Sequence, residues 1–539
     1  MSIPNALTNS DILSLIFECF VSASPTTPKY GAALARAARV CIAFHEPAIR
    51  LLWRDLDSPV SLLSLLPSSF TRVGEADRDA GGYDTYMLNG NIDRQEWAHM
   101  RRRAEYVQTL DFESFNSHKR IAPATWAYLA HLTRDRPLLP YLRRLRGSLR
   151  SPQATITICP LLSPNLTDLS IHCIVVGDVR EWECSLRSLF HMVYSIAAGL
   201  DQLRFSTAGG SPLPLNIFSP IQQLKCLRTV DCGSMSSEID FQSLRSVFFG
   251  LKTLEYIHLP MDYVVRRFVD LRPQVETPLG STLRLPNLHT LHIRNLRPTI
   301  DVNLYHIFSS STLRELRDSF HGISNVDESR AIVATIAQCF PCLRVLYLRL
   351  DFRRGLPVEG FSPGVVAHSL SKLHAMVSLT LVVSGLPDAS TDRGIHDLVE
   401  AWPRLTSLHI DNDNPLLATL SPAVLVSLAS RCPQLETVFL PSLGVPEREF
   451  SRLADYPILD HSLRKLSFRV INVTDHRYTA LLFDRLFPRL DLTGDIRNEP
   501  CMSTQSYPVW TQVCDELEAL QAARRQHEQR LGVGSLRRP

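Results

Sequence analysis

Apolar positions recur along most of this 539-residue chain in one six-residue pattern, with leucine or a near equivalent at the first, fourth and sixth places. The pattern reads VQTLDF (107–112), LTDLSI (166–171), LDQLRF (200–205), LRTVDC (227–232), LEYIHL (254–259) and LHTLHI (288–293). It continues as LRVLYL (343–348), MVSLTL (376–381), LTSLHI (405–410), LETVFL (435–440) and LRKLSF (463–468), with degenerate copies at LRRLRG (142–147) and LRELRD (313–318). Alternation over its last three places is the period of a β-strand. Several hexamers start 27 to 30 residues apart (200 to 227, 227 to 254, 405 to 435, 435 to 463). A unit of that size cannot bury its apolar side alone, so neighbours must stack.

Between hexamers the chain repeats one grammar, an amphipathic stretch, a proline, then the strand: SRAIVATIAQCFPCLRVLYL, GIHDLVEAWPRLTSLHI, SPAVLVSLASRCPQLETVFL. Proline disfavours helix in the residue before it, so the helix ends there and the hexamer extends. The expected architecture is α/β, a curved leucine-rich-repeat solenoid over 107–492 with parallel strands inside and helices outside. With the leucines turned into the core, the residue between the last two faces out along the inner face. That phase selects Ser170, Arg204, Asp231, His258, His292, Tyr347, Thr380, His409, Phe439 and Ser467, then Arg294, Arg349, Asp411 and Arg469 two places on. The mixture of charge, aromatic ring and hydroxyl fits a protein ligand anchored by arginine and aromatic side chains. The expected target-binding set is Arg204, His258, His292, Arg294, Tyr347, Arg349, His409, Phe439 and Arg469. Truncating Arg349 or Phe439 should then cost about 1 kcal/mol or less.

Ahead of the repeats, residues 10–56 read as helices. Ser10 is the expected N-cap of the first, whose Ile12, Leu13, Leu15, Ile16, Phe17, Phe20 and Val21 cover more than the apolar stripe of about 100° that a surface helix buries. That helix needs partners on two sides. A second helix is expected over about 30–45, broken at Pro47, followed by a short third with Ile49, Leu52 and Trp53. Residues 58–66 open a fourth near Pro59. The stretch 68–91 is polar, Gly-rich and aperiodic, a loop; 93–106 returns to helix. A charged helix is expected at 511–531 within a C-terminal segment 493–539.

The bulk numbers exclude more than they select. With 21% charged and 45% hydrophobic residues the chain reads as folded, and a net charge of +3 is too weak an imbalance to point to nucleic acid or an anionic membrane. The N-terminal stretch lacks a basic region and is interrupted by Asp11 and Glu18, which argues against a secretory signal. The expectation is a protein of the cytoplasm, the nucleus or both, binding no nucleic acid and no membrane. No phosphate loop, dinucleotide fingerprint, zinc-protease motif or nucleophile elbow occurs, so no enzyme, cofactor or metal is expected. Cys339 and Cys342 form a lone C-x-x-C without the second pair a zinc site wants, and read as buried structural thiols. His289 and His292 fall on opposite faces of a strand, which is wrong for shared ligation.

The first 57 residues resemble an F-box, and the whole chain resembles the F-box/leucine-rich-repeat proteins of mushroom-forming fungi. The carriers are LTNSDILSLIFECF (7–20), LARAARVCIAFHEPAIRLLWRDLDS (34–58) and the ladder of hexamers. The family places are held by Asp11, Ile12 and Leu13, Ile16 and Phe17, Val40 and Cys41, Phe44, and Leu52 and Trp53; where the family begins Leu-Pro, this chain has Leu7-Thr8. The resemblance implies a three-helix F-box over 1–57, a helical linker over 58–106, and the role of substrate receptor in a Skp–cullin–F-box ubiquitin ligase. Ile12, Leu13, Ile16, Phe17, Phe20, Val40, Cys41, Phe44 and Trp53 would dock the Skp-type adaptor while the solenoid holds a target protein. The alternative reading makes the helices only a stabilising end cap of an interaction scaffold independent of ubiquitin ligation.

Overall fold

Asn9, not Ser10, caps the first helix: its Oδ1 accepts from the backbone N–H of Asp11 (2.9 Å) and Ile12 (3.3 Å). In this computed structural model the described residues are 9–22, 29–73, 84–112, 119–133, 136–209, 212–235, 237–239, 241–260, 263–264, 285–294, 303–308, 310–353, 368–384, 392–412, 419–492 and 506–530. They fall into two compact units, 1–267 and 268–539.

The first unit opens with α1 (Ser10–Ser22), α2 (Lys29–Ala37) and α3 (Ile42–Arg54). The break expected at Pro47 lies instead at 38–41, and Pro47 sits inside α3, buried. The turn is closed by His45, whose Nδ1 lies 3.0 Å from the Ala38 carbonyl oxygen. Tertiary packing overrides the local penalty of an interior proline, because the reversal brings Ala48 and Leu51 against Leu34 and Ala38. Phe17 packs on this core and meets Phe44 edge-on, with ring centroids 5.6 Å apart. Ser58 then caps the short helix Pro59–Leu63, which opens at Pro59 within the stretch 58–66 expected to be helical. The stretch read as a loop at 68–91 contains an antiparallel pair, Phe70–Arg72 with Asp84–Leu88; 74–83 lie outside the described residues.

The main sheet of this unit is a parallel ladder: β1 (Asp55–Leu56), β2 (Thr109–Phe112), β3 (Arg144–Leu149), β4 (Asp168–Ile174), β5 (Gln202–Ala208), β6 (Thr229–Asp231) and β7 (Tyr256–Pro260), in that order. In the second unit the parallel ladder is β8 (Thr290–Arg294), β9 (Glu315–Ile323), β10 (Val345–Phe352), β11 (Ser378–Ser384), β12 (Ser407–Asn412), β13 (Thr437–Val445) and β14 (Lys465–Val473), in that order. The fourth hexamer place runs straight through each register. It is Leu110, Leu145, Leu169, Leu203, Val230 and Ile257 in one unit, and Leu291, Leu316, Leu346, Leu379, Leu408, Val438 and Leu466 in the other. All are buried.

A second ladder runs through the backbone just before the strands. The second hexamer residue donates its N–H to the carbonyl of its counterpart one repeat earlier: Thr167 to Arg143, Asp201 to Thr167, Arg228 to Asp201, Glu255 to Arg228. The second unit repeats it from Arg344 on Arg314 to Asp491 on Arg464. Chain entering each strand thereby has its polar backbone satisfied as it passes over buried leucine.

The degenerate hexamers are complementary to their neighbours. Gly147 holds the sixth place of LRRLRG, and a Cβ there would lie 2.4 Å from the ring of Phe112, its register partner on β2. The large ring fills the space the glycine leaves. Asp318 holds the sixth place of LRELRD, where it is buried and accepts a hydrogen bond from the Tyr305 hydroxyl. At the far end, the helix Ser506–Arg530 lays Trp510 edge-on against Phe468, with centroids 5.7 Å apart, and closes the last repeat.

Candidate functional site

Two surfaces hold the expected binding residues. On α1, Ile12, Leu15 and Ile16 recur at i, i+3 and i+4 and are 39%, 61% and 49% exposed. At the turn into α3, Val40, Cys41 and Ile42 are exposed. Leu13, expected on the same surface, is turned inward with 1% exposed and belongs to the bundle core. Phe17, Phe44 and Trp53 are half-buried, and the side chain of Phe20 lies outside the described residues. Leu15 and Ile42 were missing from the expected set; the spacing from Ile12 marks the first, while the second sits at a helix boundary the sequence misplaced.

The second surface is the sheet face opposite the leucines. The expected phase holds. Asp111, Arg146, Ser170, Arg204, Asp231 and His258 form one row across the first unit. His292, Arg317, Tyr347, Thr380, His409, Phe439 and Ser467 form the equivalent row in the second. Arg294, Ser319, Arg349, Val382 and Asp411 lie one step along. Asp111, Arg146 and Arg317 were omitted, although the same rule applied to VQTLDF and to the two degenerate copies yields them.

Charge on this face is paired within it. In the first unit Asp168 meets Arg144 at 3.2 Å and Arg204 at 3.7 Å. Asp231 lies 2.9 Å from His258, over Gly233, where any Cβ would strike the imidazole. Burial pushes the Asp231 carboxyl up, but His258, the Gly233 N–H and Arg204 outweigh it and hold it below the usual carboxylate range. Asp111 is shifted the other way: burial raises it, with Arg146 opposing. His172 lies 2.8 Å from the Ser206 hydroxyl, and burial keeps its imidazole less basic than usual.

In the second unit Arg317 donates to Glu315 at 2.7 Å, and His292 lies 3.4 Å from the same carboxylate. Asp351 is pushed up by burial yet drawn down to about 2 by His321, Ser384 and Arg349. Arg469 forks onto Asp411 through Nε and Nη2. Beside that pair His409 stacks on Phe439, with centroids 4.3 Å apart and planes 8° from parallel. Burial makes the His409 imidazole less basic; Asp411 opposes this and Arg469 adds to it. Phe439 is therefore not open as expected. It is 4% exposed, because β13 is buried on both faces from Val438 to Leu443.

The C-x-x-C reading divides. Cys339 is buried, 3.5 Å from His306, with its thiol raised to about 11 by desolvation, whereas Cys342 is exposed. Among the described residues no helix is long and apolar enough to cross a membrane.

Parallel strands in sequence order, a buried apolar column through each unit's registers and helices between strands are the layout expected of leucine-rich repeats. No protein-family model matches the chain, and no curated protein matches it. Among solved structures it is similar to an LRR protein of Leptospira interrogans, at 13% identity over 72% of this chain and 90% of that one, with a TM-score of 0.35.

Proposed function

We propose that this chain is a substrate-recognition adaptor of a Skp–cullin–F-box ubiquitin ligase, with α1–α3 docking a Skp-type adaptor and the open sheet face holding a target protein. One observation carries the reading. Of the 14 large apolar side chains exposed among the described residues, five (Ile12, Leu15, Ile16, Val40 and Ile42) belong to the first three helices and the turn at 38–41. A bundle that small spends Leu13, Leu34, Ala48 and Leu51 on its own core and still presents that much apolar surface, the signature of a protein-binding patch. The mechanism is positional: a target held beside activated ubiquitin gains effective concentration, and the bond-making residues reside in other subunits.

The test is capture of a Skp-type adaptor by tagged full-length protein. Leu15→Asp with Ile16→Asp places two carboxylates on the patch without entering the core, and the pair should abolish capture at an unchanged melting temperature. Undiminished capture by that variant overturns the proposal.

A second reading, a ligase-independent interaction scaffold, is favoured by a different observation. Helix α3 runs directly into β1, which pairs with β2, so the bundle also closes the first end of the ladder. Absence of any Skp-type adaptor from the purified native complex supports that reading.

A further inference from the structure

The two sheet faces differ in charge. Among the described residues, the open-face positions of β1–β7 carry three cations (Arg144, Arg146, Arg204) against four carboxylates (Asp55, Asp111, Asp168, Asp231). Those of β8–β14 carry five cations (Arg294, Arg317, Arg349, Lys465, Arg469) against three carboxylates (Glu315, Asp351, Asp411). The excess is enlarged by depth. In the three arginine pairs on the open face of the second unit the acid is the more buried partner: side-chain exposure is 26% for Glu315 against 55% for Arg317, 17% for Asp351 against 37% for Arg349, and 10% for Asp411 against 24% for Arg469. Carboxylates line the floor and guanidinium groups stand above them, so an approaching ligand meets cations first. Arg294 is exposed in the same row as Arg349, two strands away, about 10 Å at ordinary strand spacing. Tyr347 is the register neighbour of Arg317 and adds a half-buried ring beside them.

We infer that the open face of the second unit binds an acidic peptide segment of the target, seated on Arg294, Arg317 and Arg349 with one apolar side chain against Tyr347. This rests on the reading that the open face holds a protein, and it names that protein's chemistry. Guanidinium forks suit carboxylates, and the adjacent ring supplies the desolvated anchor that charge alone lacks. The first unit, where carboxylates outnumber cations by one on the open face, provides the internal control.

The experiment uses the full chain and a fluorescein-labelled dodecapeptide of alternating Glu and Ser with one central Phe, read by anisotropy. A second peptide replaces each Glu with Lys. The acidic peptide should bind, weakening about tenfold from low to physiological salt, and the basic one should not. Arg294→Glu with Arg317→Glu should weaken binding by about tenfold again, whereas Arg144→Glu with Arg204→Glu leaves it unchanged. If the double reversal in the second unit fails to fold, Arg317→Gln removes the charge while leaving a polar side chain and should cost about threefold. Equal affinity for both peptides, parental affinity in a folded Arg294→Glu/Arg317→Glu protein, or tighter capture of a single-stranded oligonucleotide overturns the inference. Skp-adaptor capture through α1–α3, measured on the same preparations, reports separately on the ligase reading.

Discussion

Tyr305 donates its hydroxyl to Asp318 inside the second unit, where every comparable hexamer places a leucine, cysteine or other apolar residue. The Ser319 N–H adds a second donor at 2.7 Å. Burial nevertheless dominates and raises the carboxyl to about 8, with both donors opposing. An unfolded chain holds an aspartate near 3.9. A folded-state value raised in this way stabilises fully below the unfolded value and loses that contribution as pH rises through the folded one. Between about pH 4 and 8 the group should therefore destabilise the fold progressively as pH rises.

Replacing the pair by its apolar counterparts, Tyr305→Phe with Asp318→Leu, restores the hexamer. The double variant should unfold at higher denaturant than the parent at pH 7, by about 2–3 kcal/mol more than at pH 5. Denaturant titrations of parent and variant at the two pH values check it; parallel curves would refute a raised carboxyl. Asp318→Leu alone should be worse than the double change, since it leaves the Tyr305 hydroxyl buried without its acceptor.

Gly147→Ala should destabilise by about 2 kcal/mol, because the new methyl group strikes the Phe112 ring and overpacks the first unit. Phe112→Leu added to Gly147→Ala should recover part of that loss, a coupling that independent sites do not show. Thermal melts of the two singles and the double measure it.

These two positions show what the sequence could and could not convey. The period-two hexamers placed the strands, their order and the outward phase correctly, because one register error would have exposed a whole leucine column. LRRLRG and LRELRD looked like decayed copies because the residues that complete them, Phe112 and Tyr305, are supplied from elsewhere in the fold. The N-terminal bundle was legible in content but not in boundaries: Pro47 outweighed packing in the reading, and the opposite holds in the fold. Leu13 and Phe439 were misjudged for the same reason. Periodicity says which way a side chain points, but not what else arrives to cover it.

Arg469→Ala should cost about 3 kcal/mol, since it strands the Asp411 carboxylate, only 10% exposed, without its fork. Arg469→Leu with Asp411→Leu should recover most of this. Arg294→Ala, at an exposed site, should stay within about 0.5 kcal/mol of the parent. Comparable losses at Arg294 and Arg469 would show that depth on this face does not govern the energetics.

Phe439→Ala, expected from the sequence to be nearly silent, should instead cost about 3 kcal/mol or more, because the ring is buried and stacked on His409. The same variant should make the His409 imidazole more basic, as water reaches a ring that burial had kept neutral. Imidazole chemical shifts followed against pH test the second effect independently of stability.

The junction between the helical bundle and the first repeat turns on Tyr106, whose hydroxyl donates to Glu46 on α3 while Arg50 and Arg103 lie over its ring at 5.7 and 5.9 Å. That hydrogen bond is the main cause holding the Glu46 carboxyl below its usual range, with burial opposing and Arg50 assisting. A lowered value stabilises above the unfolded pKa and loses that contribution as pH falls, so the junction should loosen on acidification below about pH 4. Glu46 is 43% exposed, so Tyr106→Phe should cost only about 0.5–1 kcal/mol. Its effect should be local: faster amide exchange over residues 42–54 than in the parent, unchanged protection in β3–β5, and a flatter acid response.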